Sequence, residues 1–247
     1  MIARSLAVAA PGGRLVELAC QPPLTLRQVS PADKGVCALC LVGTAAGPLT
    51  GDDLTLRLEL LAGARAGLQA TGAAIAQGRP GGAAASLHIQ ATLAADSSLH
   101  ADPGPLIVRG GGSIAARIAI DLGPAAQVEW HELIVLGTGR AGPGSSEPAA
   151  TLRWDVTRAG VPLLRQLIDL TDPQALRWPG MLGGRRVLAS ALLAGPAIRG
   201  RTLVAAPTAV AQQLADDAVL VTVLADDAAT AQHTTAALCA QLRDGCP

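Results

Sequence analysis

The chain has no phenylalanine, no tyrosine and a single lysine, Lys34, so its core must be built from Ala, Leu, Val and Ile. Charge is scarce too: 15% of residues are charged, and Lys+Arg and Asp+Glu stand at 19 each, for a formal net charge of zero. A protein that neutralises many phosphates carries a basic excess, so nucleic acid is excluded as a partner. A surface near zero charge also resists self-association poorly. The five cysteines are odd in number and irregular in spacing, which is not a secreted disulfide framework. Long apolar runs are missing. Leu6 to Ala10 is ended by Pro11 and is too short for a signal peptide, while Val187 to Ile198 is interrupted by Gly195 and Pro196 and falls short of a membrane span. The expectation is a soluble cytoplasmic protein with no membrane partner.

Catalytic signatures are equally sparse. There is no G-x-x-x-x-G-K-[ST], no G-x-S-x-G and no H-E-x-x-H. Gly137-Thr138-Gly139-Arg140-Ala141-Gly142 does match the dinucleotide fingerprint G-x-G-x-x-G, with Asp155 at about the right distance for a ribose. That chemistry needs a helix opening at the glycines, whose amides hold the pyrophosphate. The residues that follow, Pro143-Gly144-Ser145-Ser146-Glu147-Pro148, cannot start one, and Gly139 to Pro148 reads as an exposed loop. A nucleotide-linked β-fold enzyme using residues 137–142 is therefore a minor alternative, beside a purely structural β-solenoid.

What the sequence has is period-two alternation, the mark of strands with one buried face. Asp53-Leu54-Thr55-Leu56-Arg57-Leu58-Glu59-Leu60 is the cleanest case, followed by Ser86 to Gln90, Arg117 to Leu122 and Thr151 to Val156. Small-residue turns at Leu61 to Leu68, Leu93 to Leu99 and Leu122 to Val128 recur about every thirty residues, a spacing suited to stacked units. The expected fold is mainly β, a layered or solenoid-like stack of antiparallel hairpins forming one domain over residues 1–247. A helix–strand–helix segment is expected at about 207–243: a short helix from Pro207 to Ala215, a strand over Val219 to Leu224, and a helix capped by Asp226 or Asp227 and running to about Arg243, with Gly245 just beyond.

Two groups of side chains invite metal chemistry. Cys37-Ala38-Leu39-Cys40 is a C-x-x-C, but it lies in a strand-like run where odd spacing sends the thiols to opposite faces, so packing is the expected role. On the strand around Trp130-His131-Glu132, Glu129 and His131 share a face with Leu133, and an imidazole with a carboxylate can hold a divalent metal weakly.

Four blocks, in order, carry a resemblance. Pro23-Leu24-Thr25-Leu26-Arg27-Gln28-Val29-Ser30-Pro31 resembles a "PLRVQRPFYP"-like segment. Gly47-Pro48-Leu49-Thr50-Gly51-Asp52-Asp53-Leu54 resembles a "GG-x-x-x-GD-x-L" block, followed by a "PGARA"-like turn at Leu61 to Ala66. Trp130 to Gly137 is similar to a "W-x-E-x-x-x-LGR" strand, and Leu182-Gly183-Gly184-Arg185-Arg186-Val187-Leu188 to the block before a late apolar strand. Together these resemble the urease accessory protein UreD (UreH) family, in its divergent actinobacterial form. The chain departs from the family at Ala73 to Gly78, where many members read "TKVYRS"; at Thr138, where "LGR" has arginine; and at Arg165, where an acidic residue is common.

The resemblance implies a non-catalytic scaffold that binds apo-urease, recruits accessory proteins F and G (the latter a GTPase) and assists nickel insertion. No permanently bound cofactor is implied, and nickel would be held only in transit. Asp52, in the glycine-flanked block, is the candidate nickel contact by this match, with Glu129 and His131 beside it; the competing reading of Asp52 is a turn former after Gly51.

Overall fold

The computed structural model describes residues 1–79, 81–137, 147–198 and 203–243, with the backbone alone described for 203–206. The chain enters as strand β1 (Ile2–Ala10) and returns as β2 (Arg14–Ala19). A hairpin follows, β3 (Leu24–Gln28) with β4 (Cys37–Gly43). Next come three similar units. The first is β5 (Asp53–Leu60), β6 (Arg65–Ala70) and the short β7 (Ala74–Ala76). The second is β8 (Ala85–Leu93), β9 (Ser98–Asp102) and β10 (Pro105–Val108). The third is β11 (Ser113–Leu122) with one long strand, β12 (Gln127–Leu136). The chain then forms β13 (Ala149–Arg158), β14 (Val161–Leu170), a short helix α1 (Pro173–Arg177) and β15 (Val187–Ala194). It ends with β16 (Leu203–Ala206), β17 (Ala209–Ala215), β18 (Ala218–Ala225) and helix α2 (Ala228–Arg243).

These strands make two stacked sheets. The first runs β14-β13-β11-β8-β5-β1-β2, and the second runs β16-β17-β18-β15-β12-β9-β6-β4-β3, with β10 and β7 joined to it beside β12. Strand far outweighs helix and the units stack, as the alternation implies. The pairing direction within the stack is different from the hairpins expected. β5, β8, β11 and β13 pair in parallel, as do β4, β6, β9 and β12, while antiparallel pairs lie at the ends of the stack and in its later strands. The reason is geometric. Each unit passes from the first sheet to the second through a corner, so the next unit re-enters the first sheet in the same direction.

The corners are the recurring small-residue turns. Ala64, Ser97 and Ala126 donate their N–H to the carbonyls of Leu61, Ala94 and Gly123. The residue before each donor lies at positive φ: Gly63 at 70°, Asp96 at 58° and Ala125 at 54°. The turns also stack, with the Gly63 N–H donating to Ala95 O at 2.9 Å and the Asp96 N–H to Pro124 O at 3.0 Å. The weak internal repeat is thus a ladder of corners, each hydrogen-bonded to the next.

Between the sheets the core is mostly aliphatic, with Leu56, Leu68, Leu93, Ile120 and two of the three tryptophans, Trp130 and Trp154, buried together. A second apolar layer, including Leu193, Val219, Val221, Leu238 and Cys239, joins the outer face of the second sheet to α2. This explains why β15 is buried at every position and lacks alternation. Helix α2 starts where expected: Asp227 accepts from the Thr230 N–H at 2.8 Å and from its hydroxyl at 2.7 Å. The helix expected over Pro207 to Ala215 is instead β17, paired with β16 and β18. Among the described residues no helix is long and apolar enough to cross a membrane.

Candidate metal centre on the second sheet

The alternation of β12 decides which compartment each of its side chains enters. Trp130 and Ile134 point between the sheets, whereas Leu133 packs outward in the layer that holds α2. Glu129 and His131 therefore face outward with Leu133, as parity along a strand requires. The parallel register of β9 and β12 then sets His100 directly beside Glu129.

The result is a cluster that no local motif announces. His131 Nε2 lies 2.9 Å from Glu129 Oε1, and His100 Nδ1 lies 3.6 Å from Glu129 Oε2. One ligand atom from each of the three residues lies within 4.8 Å of the others. A tetrahedral ion with ligands at about 2.0–2.2 Å holds adjacent donors about 3.3 Å apart, so small side-chain adjustments would bring the three donors onto one first-row divalent metal. Two imidazoles and a carboxylate suit zinc, nickel, copper or iron better than the hard cations magnesium and calcium.

The electrostatics keep the carboxylate ionised. Burial pushes Glu129 upward, but His100, His131 and the nearby Arg243 guanidinium outweigh it and hold the carboxyl well below its usual range. The same contact with Glu129 raises the pKa of His100 against the effect of its own burial. Cys239, buried on α2, is not among the ligand atoms that converge here; burial, aided by the Glu129 charge, pushes its thiol up to about 12. A pocket of about 280 Å³ adjoins the cluster, lined also by Thr235, whose buried hydroxyl has no hydrogen-bond partner among the described residues.

On the other face of β12, Glu132 enters the interior. Its carboxylate accepts from the Trp154 indole N–H at 2.8 Å. It lines an apolar cavity of about 270 Å³ between the sheets, along with Leu54, Leu87, Ile89 and Leu106. Glu132 is half-buried, and the loss of hydration pushes its carboxyl up to about 7 despite the indole bond.

Asp52 stands apart from this cluster. It is buried, and both oxygens are engaged: the Met1 amino group donates to Oδ1 at 2.6 Å and the Leu49 N–H to Oδ2 at 2.8 Å. Burial pushes its carboxyl upward, but the amino group and the Leu49 amide overcome that and leave it below the usual value. Cys37 is buried in β4 and Cys40 half-buried on the opposite face, so the pair does not converge on one ion. Of the nucleotide fingerprint only Gly137 is described; residues 138–142 lie outside the described residues, as do the loop over 139–146 and Gly245.

The structure thus brings Glu129 and His131 together, leaves Asp52 elsewhere, and adds His100, which the sequence alone does not single out. His100 joins only through the register of β9 with β12. Glu132 was visible as part of the W-x-E pattern, but its placement opposite Trp154 depends on the facing sheet.

Sequence comparisons identify the relatives of this chain. Residues 4–246 match the family model described as UreD urease accessory protein. Urease accessory protein UreD 1 of Saccharopolyspora erythraea is 35% identical over 74% of this chain and 72% of its own length. Urease accessory protein UreD of Frankia alni is 33% identical over 91% of this chain and 86% of its own, and UreD 3 of Streptomyces griseus is 32% identical over 88% and 86%. The chain belongs to the UreD family of urease accessory proteins, which are chaperones rather than enzymes.

Proposed function

We propose that this chain works in the cytoplasm as a scaffold in urease maturation, binding apo-urease and accessory proteins F and G while nickel is inserted. Family membership supports the general role. The observation that carries the nickel part is the convergence of His100, Glu129 and His131 beside α2. Three donors of this kind hold nickel, yet leave it in a site open enough for release. A closed four-ligand site would retain the ion instead. Asp52, with both oxygens committed to Met1 and Leu49, serves in this reading to fix the turn before β5.

The test is urease activity and urease nickel content in cells expressing the whole urease gene cluster, with recovery of the accessory complex measured alongside. Changing His100 and His131 together to Ala is expected to lower activation several-fold while the complex still assembles. Full activation by that variant would remove the nickel reading and leave only the scaffold.

A further inference from the structure

The metal cluster carries a competing cation of its own. Arg243, in the last turn of α2, donates from Nη1 to both oxygens of Glu129, at 3.2 and 3.0 Å. The guanidinium takes up a lone pair on each Glu129 oxygen, and its charge repels any cation brought to the same carboxylate. Arginine keeps its charge at all accessible pH, so only exchange can free Glu129.

The surroundings allow that exchange. The Arg243 side chain is 46% exposed against 14% for Glu129, so the guanidinium can swing into water while the carboxylate stays in place. The adjacent Leu242 is buried in the α2 layer, so the swing is a side-chain rotation and the helix need not detach. The Thr235 hydroxyl, without a partner among the described residues, lies in the same pocket and supplies a hydrogen-bonding group for a water carried on an incoming ion.

We infer that Arg243 is a built-in competitor: a divalent transition-metal ion loads onto His100, Glu129 and His131 by displacing the guanidinium, and Arg243 reclaims Glu129 when the ion leaves. This rests on the reading of those three residues as metal ligands. The device makes occupancy reversible without weakening the ligands themselves, which suits a site that must pass its ion on.

The test is calorimetric titration of the full chain with nickel chloride at fixed pH and salt. Arg243→Gln is expected to bind nickel about tenfold more tightly than the wild type, and Arg243→Lys to fall between them. Arg65→Gln is the control for general charge, because Arg65 lines the neighbouring groove with His100 and Arg243 and has no ion pair to Glu129 among the described residues. It should stay within about twofold of the wild type. If the His100→Ala/His131→Ala variant loses binding but Arg243→Gln binds no more tightly than the wild type, the exchange is wrong and the ligand set stands. Equal tightening by Arg65→Gln would overturn it too, reducing the effect to a general field. If the double histidine variant binds as the wild type does, the ligand set itself fails and the exchange with it.

Discussion

The Trp154 indole N–H donates to the Glu132 carboxylate across 2.8 Å, a polar bridge from the first sheet to the second through an otherwise apolar interior. A buried carboxyl with one neutral donor is costly to ionise, because that donor replaces only part of its lost hydration. Glu132 is therefore held toward its neutral form near neutrality, whereas Asp52, Asp53, Glu129, Asp155 and Asp227 are held below their ordinary values.

This has a definite sign for stability. The carboxyl is raised from 4.5 to about 7 in the folded chain, so its contribution is fully present below pH 4.5 and is lost as pH rises to about 7. At about 1.4 kcal/mol per unit, the loss is of order 3 kcal/mol by pH 8. Glu132→Gln, neutral at every pH and still able to accept from Trp154, should exceed the wild type in stability at pH 8 and approach it at pH 5. Urea unfolding at the two pH values measures this. A wild type as stable as the variant at pH 8 would contradict it.

Asp52→Ala removes the acceptor for two donors at once, the Met1 amino group and the Leu49 N–H. An amide left without its partner costs about 1–3 kcal/mol, so the variant should lose stability on that scale. The carboxyl is depressed in the fold, so its contribution is present above the unfolded pKa and fades as pH falls through the lower folded value. The gap between wild type and variant should accordingly shrink in acid. Nickel affinity per folded molecule, measured by calorimetry, is expected to be unchanged; a marked drop would return Asp52 to the metal path.

The strands were legible in the sequence because one-sided burial leaves alternation: Asp53 to Leu60 reads as β5 with the same limits. Parity alone also separated Glu129 and His131 from Trp130 and Glu132. Two things were not legible. Ala209–Ala215 is rich in Ala, Gln and Leu, which favour helix, yet it is flanked by β16 and β18, whose ladders override the local preference. His100 joins Glu129 through a register between separate units, and nothing local to either residue encodes that pairing. The parallel direction was hidden for a similar reason, since a hairpin turn and a solenoid corner use the same small residues.

The corner ladder makes opposite predictions at equivalent positions. Gly63 and Ala125 both lie at positive φ in matching turns, and a Cβ at Gly63 meets nothing nearer than Pro11 Cγ at 3.8 Å. Gly63→Ala should therefore cost only the backbone strain, about 1 kcal/mol. Ala125→Gly relieves that strain and loses some chain entropy, for a net gain below about 1 kcal/mol. Thermal unfolding should move down for the first and up for the second. Movement in the same direction would mean that the corners are not equivalent.

The last prediction sets the cysteines against the histidines. Thiolates bind nickel as well as imidazoles do, so Cys37-Ala38-Leu39-Cys40 is the rival metal site in this chain. Its geometry is unfavourable. Cys37 is fully buried with its thiol pushed up by burial, and Cys40 lies on the other face of β4, so one ion cannot reach both without breaking the strand. Changing both to Ser should leave nickel affinity at the wild-type value. It should also lower stability by about 1–3 kcal/mol, chiefly because a serine hydroxyl at position 37 would be buried without a planned partner. The His100→Ala/His131→Ala variant should lose most of its nickel affinity, with a stability loss of about 1–3 kcal/mol because the largely buried Glu129 keeps only Arg243 as a partner. Calorimetry and urea unfolding on the same four proteins, the wild type, the two double variants and their combination, separate the cases. Loss of nickel binding in the cysteine variant, with binding intact in the histidine variant, would move the metal site to β4.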